Sequence, residues 1–276
     1  MDDDNPIIRS GSLRDSTASI TSSILEYRHI NGRPFQQSKT TEYWAPTDDE
    51  ELEHTITFIL KTPLHTAAIR RQASSSSHQK ESLAFVPPNC SFQIDDAQLD
   101  WTFKPDELDF IHIRYLYGAI DDWKKLYRQA YTHVRPGGWV KSFEIDIETH
   151  SENPKIEKDE GHIFKKWCKL FFECGRKTDR TWEIARDGRQ EEYMREAGFT
   201  DEVSKSWKLP VGGWPQDKKL KQIGLYNGAF IDHYIDAFAI FPIGEILGRS
   251  KAEVTVLVSQ MRKALKEPRA LPYFNV

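Results

Sequence analysis

The segment 108–147 begins with the apolar run Leu108-Asp109-Phe110-Ile111-His112-Ile113-Arg114 and predicts a strand, a helix and a second strand. The run is mostly apolar and bounded by charges, which is typical of a buried strand. A helix follows, with Asp121 or Asp122 as its N-cap, and it ends before Arg135-Pro136-Gly137-Gly138, a helix stop and turn. The next strand is predicted over 139–147. Because a strand, a helix and a strand with short connections form the crossover unit of a parallel sheet, the segment predicts an α/β fold.

The residues before this unit are predicted to form helices and linkers. Residues 1–18 have almost no apolar periodicity and are expected to be a disordered tail, followed by a single domain over 19–276. Ile20, Ile24 and Tyr27 predict a short helix that ends at Asn31-Gly32, and a capping box at residue 47 starts a second helix. We expect these two helices to form an N-terminal helical lid. The Ser-rich segment 70–84 predicts a flexible linker.

The second half of the sequence predicts further helices and a return to strand. Apolar spacing indicates a helix that starts at Ile163, another that ends at Gly198, and late helices over 217–241 and from a capping box at Ser250 through Leu265. Strands are predicted over 199–209 and from residue 271, where a final strand begins. These late helices add to a single α/β core.

Composition excludes several classes of protein. A net charge of −4 and a pI near 6.2 provide no basic field, so there is no direct signal for nucleic acid. The apolar stretch 237–247 is short and is interrupted by Pro242 and Glu245, so no membrane association is expected. The acidic start of the chain predicts an intracellular protein, cytoplasmic or nuclear. Its three cysteines are expected to be buried thiols, and His150 and His162, beside an acidic segment, favour a solvated charged loop over a metal site.

Several short strings along the chain carry a family resemblance. They are Val86-Pro87-Pro88-Asn89, Ser91-Phe92-Gln93-Ile94-Asp95-Asp96-Ala97, Trp101-Thr102-Phe103, the run that starts at Leu108, Asp122-Trp123, and Arg135-Pro136-Gly137-Gly138-Trp139. These strings resemble those of fungal LaeA-like S-adenosylmethionine-dependent methyltransferases, and the similarity covers roughly 19–276. The resemblance implies a class I methyltransferase-like Rossmann sheet with extra N-terminal and late helices. It also implies a role in fungal secondary metabolism or its regulation.

The resemblance also implies a set of residues for binding the cofactor S-adenosylmethionine. Asp95, Asp96 and Ala97 match the end of a family strand where a carboxylate accepts from the adenine amino group and a backbone N–H meets the ring. Ile113 and Arg114 match the carboxyl end of the next family strand, which faces the methionine portion of the cofactor. No catalytic residue is implied. The implied partner is a small-molecule methyl acceptor or a protein.

One departure from the family pattern leaves the function open. Between Ile69 and Phe85 lie only the residues 70–84, without a glycine, whereas a strand, helix and strand need about 30 residues or more. The sequence therefore predicts a sheet truncated at its first βαβ unit, without the Gly-rich turn that holds the amino acid end of the cofactor. Three explanations follow: a methyltransferase, a catalytically inactive pseudo-methyltransferase that acts as a scaffold or partner-binding module, or a coding sequence that has lost an exon.

The acceptor cavity is predicted on weaker grounds. The many aromatic residues suggest a pocket for an apolar or aromatic substrate, although aromatic side chains at helical spacing more often belong to the core. Trp182, Tyr226, Asn227 and His233 are the candidates to line such a cavity under the helical lid.

Overall fold

The computed structural model describes residues 27–30, 33–36 and 96–276, and it has a mixed α/β architecture. The elements are, in chain order, β1 (Tyr27–Ile30), β2 (Arg33–Gln36), β3 (Leu108–Arg114), α1 (Trp123–His133), β4 (Val134–Phe143), β5 (His150–Ser151), α2 (Pro154–Glu157), α3 (Ile163–Thr178), α4 (Arg189–Ala197), β6 (Lys208–Pro210), α5 (Lys218–Ala239), a π-helix (Ile240–Ile246), α6 (Lys251–Leu265) and β7 (Pro272–Asn275). The predicted tail 1–18, the second lid helix and the linker 70–84 lie outside the described residues.

The predicted crossover unit is confirmed in β3, α1 and β4. The two strands are parallel, with Ile111 opposite Val140 and Ile113 opposite Ser142. Helix α1 begins where the Asp122 carboxylate accepts from the backbone N–H of Lys125 at 2.8 Å, which satisfies one of the free N–H groups of the first turn. Its apolar face covers one side of the strand pair, and burial of each large side chain in this layer contributes about 1.5–3 kcal/mol. The fully buried members of this layer are Ile120, Leu126, Tyr127 and Ala130.

The turn predicted at residues 135–138 is a bulge inside β4 rather than a connection before it. Leu108 pairs with Val134 and Phe110 pairs with Trp139, so residues 135–138 lie opposite Asp109 alone. Gly137 has a φ of +79°, a value that L side chains rarely adopt, and Pro136 cannot continue α1. The helix stop is thus confirmed, but β4 starts at Val134 and ends at Phe143, earlier than predicted at both ends.

The helix predicted to end at Asn31-Gly32 is wrong over residues 27–30. These residues form β1, which pairs antiparallel with β2, and Ile30 is paired with Arg33 across a two-residue connection. Asn-Gly between two short runs is a strong signal for such a hairpin, and it outweighs a three-residue apolar stripe. Phe35 is completely buried, and its ring centroid lies 5.9 Å from that of Phe241. The described part of the lid is therefore a hairpin packed on the late helices.

The late helices pack into a second hydrophobic layer. Helix α3 contacts the π-helix and α6, and α5 contacts α6. The capping box predicted at Ser250 is confirmed, since its hydroxyl accepts from the backbone N–H of Glu253 and the Glu253 carboxylate accepts from the backbone N–H of Ser250. The predicted helix over 217–241 is confirmed as α5, which changes to a π-helix where Pro242 supplies no N–H.

The strand predicted over 199–209 is mostly wrong. Only Lys208–Pro210 forms a strand, because residues 201–208 are exposed and present no alternating apolar face to a core. The final strand is confirmed as β7, which lies between β5 and β6 in an antiparallel sheet. Cys168 and Cys174 are buried free thiols as predicted, and Cys90 is not among the described residues. Over the described ranges, no helix is both long and apolar enough to cross a bilayer.

Candidate functional site

The carboxyl ends of β3 and β4 meet at one edge of the parallel pair. In open parallel sheets, ligands bind at this edge. The backbone N–H of Tyr115 donates to the carbonyl of Phe143 at 3.2 Å, so the segments that follow the two strands start side by side. The segment 115–122 leads from β3 into α1, and the segment 144–150 leads from β4 into β5.

The loop 96–101 is held against α1 by polar contacts. The Asp96 side chain is buried, and its Oδ1 accepts from the backbone N–H of Gln98 at 3.0 Å. The carbonyl of Ala97 accepts from the indole N–H of Trp101 at 3.0 Å and from Gln129 at 3.3 Å. Gln129 in turn accepts from the backbone N–H of Trp101 at 2.9 Å. These bonds fix the loop that carries two of the predicted adenine-binding residues.

A single hydrogen bond brings the loop 96–101 to the strand edge. Gln98 Oε1 accepts from the backbone N–H of Asp121 at 2.8 Å, and Asp121 lies just before α1. Asp96 and Ala97 therefore lie in a loop that is hydrogen-bonded through Gln98 to the segment after Arg114. Asp95, the third residue of the predicted set, lies outside the described residues.

The two strand residues of the predicted set differ in their surroundings. Ile113 is buried in the layer under α1, so its side chain serves the core and only its backbone faces the edge. The Arg114 guanidinium lies 4.5 Å from the ring centroid of Tyr115 and 5.4 Å from that of Phe143. Tyr115 has a φ of +54°, an uncommon conformation for a bulky residue, which turns the chain sharply after β3. Arg114 is thus half-buried on an aromatic platform at the edge.

Glu144 is a residue of this edge that the sequence prediction missed. Its buried carboxylate accepts hydrogen bonds from the backbone N–H groups of Leu116 at 3.0 Å and Tyr117 at 3.1 Å. Burial raises the pKa of Glu144 to about 8, against the opposing effect of these backbone donors and of Arg114. The carboxylate ties the end of β4 to the segment after β3. The alternation Glu144, Asp146, Glu148 in the sequence was the available signal.

A cluster of buried charges extends from this edge toward α3. Glu148 forms ion pairs with Lys165 and, at 2.6 Å, with Arg186, and Arg186 also lies 3.3 Å from Asp146. Burial acts to raise the pKa of Glu148, but Lys165 and Arg186 hold it below its usual value. The carboxylates of Asp146 and Glu157 raise the pKa of His150. The cluster joins the segment after β4, helix α3 and the segment before α4.

The residues predicted to line an acceptor cavity do not come together. Trp182 is buried against Tyr117 and Phe171, with ring centroids 5.5 Å and 4.8 Å apart. On α5, Tyr226 and His233 are exposed and Asn227 donates to the carbonyl of Pro210 at 2.8 Å. Tyr226 and His233 point away from the core because α5 buries its opposite face. The prediction of one cavity shared by these four residues is wrong.

Two cavities of similar size occur elsewhere among the described residues. One, of about 530 Å³, lies between the start of α1, the end of α3 and the start of α4, and Trp182 lines it. The other, of about 540 Å³, lies between α5, α6 and the Gly-rich turn at Gly212 and Gly213. The first adjoins the strand edge, because Gly118 donates to the carbonyl of Thr181 at 2.8 Å and Asp121 donates to Gln98.

The chain is similar to known methyltransferases and to a regulator of secondary metabolism. Methyltransferase pytC of Aspergillus terreus is 29% identical over 90% of this chain and 85% of its own length. The secondary metabolism regulator LAE1 of Cochliobolus heterostrophus is 28% identical over 69% of this chain, which spans 62% of that protein. Among solved structures, a phosphoethanolamine N-methyltransferase 2 of Haemonchus contortus with S-adenosyl-L-methionine has a TM-score of 0.36 and 18% identity, covering 72% of this chain and 37% of that chain.

A family model settles the assignment. The model described as a methyltransferase domain matches residues 63–201, which is just over half of the chain. The match includes the crossover unit, the loop 96–101 and the charge cluster. The chain belongs to the methyltransferase domain family, and the relatives that it resembles there are LaeA-like proteins of fungal secondary metabolism.

Proposed function

We propose that this chain binds S-adenosylmethionine at the carboxyl edge of β3 and β4 and transfers its methyl group to a small-molecule acceptor of secondary metabolism. One observation carries the proposal. The loop 96–101 is fixed at that edge with a buried carboxylate, Asp96, and it is joined by Gln98 to the segment that follows β3.

The adenine end of the cofactor fits the donors and acceptors of this loop. An adenine amino group needs an acceptor, and a buried carboxylate provides one with a charge-assisted hydrogen bond. A ring nitrogen needs a donor, and the backbone N–H of Ala97 donates to no other group among the described residues. Asp96 would thus bind the amino group of adenine, and Ala97 would bind a ring nitrogen.

The methionine end would meet Arg114. A guanidinium is the side chain best matched to a carboxylate, and Arg114 is the last residue of β3 at this edge. S-Adenosylmethionine supplies an electrophilic methyl group on a sulfonium, so the protein's contribution is to orient it toward the acceptor. Glu144 would serve as a positioning residue, because it holds the backbone of Leu116 and Tyr117 in place.

A cofactor-free scaffold is the second candidate, and one surface favours it. Trp139 on β4 is 60% exposed, and its register partner Phe110 lies on the strand face opposite the one that α1 covers. A large exposed apolar side chain beside a partly exposed one is a candidate contact for a protein partner. This candidate requires stable association with a partner and no affinity for the cofactor.

Calorimetric titration with S-adenosylmethionine separates the two functions. The wild type is expected to bind, and Asp96→Ala is expected to bind about 10- to 100-fold more weakly, which corresponds to the loss of one hydrogen bond to a charged group. Asp100→Ala is the matched control, since Asp100 belongs to the same loop but is 95% exposed and pairs with Lys125 at the surface. Asp96→Asn, which keeps the acceptor for Gln98, separates a folding defect from a loss of charge.

Two results would contradict the proposed adenine site in the loop 96–101. If folded wild type releases no heat at millimolar cofactor, or if Asp100→Ala weakens binding as much as Asp96→Ala, the loop 96–101 does not hold adenine.

A further inference from the structure

The cavity at the start of α1 has the lining of a small-molecule site. Its volume of about 530 Å³ lies within the range of about 300–1,000 Å³ that is usual for such sites. Four aromatic side chains from four segments contribute to its walls: Trp123, Phe172, Trp182 and Tyr193. Trp123 and Trp182 are almost completely buried, so their rings form a rigid part of the wall. A planar aromatic ligand matches these surfaces.

A buried hydrogen-bond donor in the wall has no acceptor. The indole N–H of Trp123 is buried, and none of the described residues accepts from it. Leaving such a group unpaired costs free energy, and an acceptor atom on a ligand would remove that cost. The Trp123 indole N–H is therefore a candidate donor to an acceptor atom on a ligand of this cavity.

The charges around the cavity favour a cation. Two lining cations are already engaged, since Lys124 pairs with Glu196 at 2.8 Å and Arg189 pairs with Asp187 at 3.5 Å. Three lining carboxylates, on Asp121, Asp179 and Glu183, form no ion pair with any described residue. Among the lining cations, Arg176 alone forms no ion pair with a described residue. The unpaired charges thus leave an excess of negative charge.

The position of the cavity links it to the strand edge. The ring of Trp182 lies directly beside Gly118, where an added Cβ would meet its Cε2 at 2.3 Å. Asp121, which lines the cavity, donates its backbone N–H to Gln98 in the loop 96–101. The segment 115–122 is therefore a wall of the cavity and a neighbour of the proposed cofactor loop at the same time.

We propose that this cavity binds a planar aromatic ring that carries a protonated alkylamine, with Glu183 as its main ionic contact. Glu183 is half-buried and lines the cavity together with Trp182 and Tyr193, so an ammonium beside it would also lie near aromatic faces that attract cations. This inference about the cavity does not depend on the proposed function.

Titration with three probes of one ring system tests the charge selectivity. Tryptamine, indole and indole-3-acetate carry a cation, no charge and an anion on the same indole. Tryptamine is expected to bind at least about tenfold more tightly than indole-3-acetate, because each charge interaction in a partly desolvated site contributes about 1 kcal/mol or more. Equal affinities for the amine and the acid would overturn the proposal.

Two variants of opposite charge locate the site. Glu183→Gln is expected to weaken tryptamine binding about three- to tenfold, and Arg176→Gln is expected to tighten it and to weaken indole-3-acetate. Glu173→Gln is the control on α3, since Glu173 is exposed and does not line the cavity. Unchanged tryptamine affinity in Glu183→Gln, or an equal loss in Glu173→Gln, would overturn the assignment.

Parallel titration with S-adenosylhomocysteine keeps the two proposals apart. Charge-selective tryptamine binding without cofactor binding would support this cavity and refute the proposed function. Cofactor binding without tryptamine binding would support the proposed function and refute this cavity as an amine site.

Discussion

Gly118→Ala is expected to be the most damaging single-methyl change at the strand edge. Gly118 has a φ of +69°, and an added Cβ would lie 2.3, 2.5 and 2.8 Å from three ring atoms of Trp182. Trp182 cannot move aside easily, because it is 1% exposed and packs on Phe171 and Tyr117. The left-handed backbone costs about 1–2 kcal/mol for a residue with a Cβ, and overpacking adds about 1–3 kcal/mol.

These two costs predict a loss of about 2–5 kcal/mol in the free energy of unfolding, a large part of the total for a single domain. Gly188→Ala is the matched control, because Gly188 has a φ of +68° and nothing lies within 4 Å of its added Cβ. Both variants stiffen the unfolded chain equally, so their difference reports the contact with Trp182 alone.

Urea denaturation of the wild type and both variants measures this difference. We expect Gly118→Ala to be less stable than Gly188→Ala by about 1–3 kcal/mol at an unchanged slope with denaturant. Equal stability of the two variants would refute the packing of Trp182 on the segment 115–122, and with it the wall of the cavity.

Three further predictions concern the edge, the charge cluster and the late helices. Because burial raises the pKa of Glu144 from 4.5 to about 8, folding favours its protonated form. Urea denaturation should therefore show that the wild type loses stability relative to Glu144→Gln as the pH rises between those two values. A difference in stability that does not change with pH would contradict this prediction. Lys165→Met should lower the free energy of unfolding by about 3–5 kcal/mol, since it leaves the buried Glu148 with Arg186 as its remaining close cation. An unchanged midpoint in thermal denaturation would contradict this prediction. Ser250→Ala should lower the free energy of unfolding by about 1 kcal/mol, because it breaks the capping box of α6. Ser259→Ala in the same helix should leave the free energy of unfolding unchanged.

The crossover unit could be predicted because its signals are local. Asp122 caps α1 within three residues, Pro136 ends the helix, and the apolar run at Leu108 has the length of a strand. The hairpin was missed because a three-residue stripe was given more weight than Asn-Gly. The strand over 199–209 was overestimated because its pairing depends on β7, more than 60 residues away in sequence.

The candidate site could be predicted only in part, for a similar reason. Asp96 and Ala97 follow from the family resemblance; the structure shows their loop bonded to the segment before α1, and their contact with the cofactor stays a prediction. Glu144 was missed because its partners are backbone N–H groups about 28 residues earlier, and the alternation of acidic residues over 144–148 does not identify those partners. The cavity at the start of α1 was not predicted, because its lining comes from α1, α3, α4 and the segment 179–183 and is brought together only by packing.

Hydrogen–deuterium exchange with and without S-adenosylhomocysteine tests the central claim most directly. If the cofactor binds at the carboxyl edge of β3 and β4, peptides that contain the loop 96–101 and the segment 115–118 should exchange about tenfold or more slowly when it is bound. Peptides from α5 and α6 should be unaffected and serve as the internal control. Protection confined to α5 and α6, or no protection anywhere at saturating ligand, would contradict the placement of the cofactor at this edge.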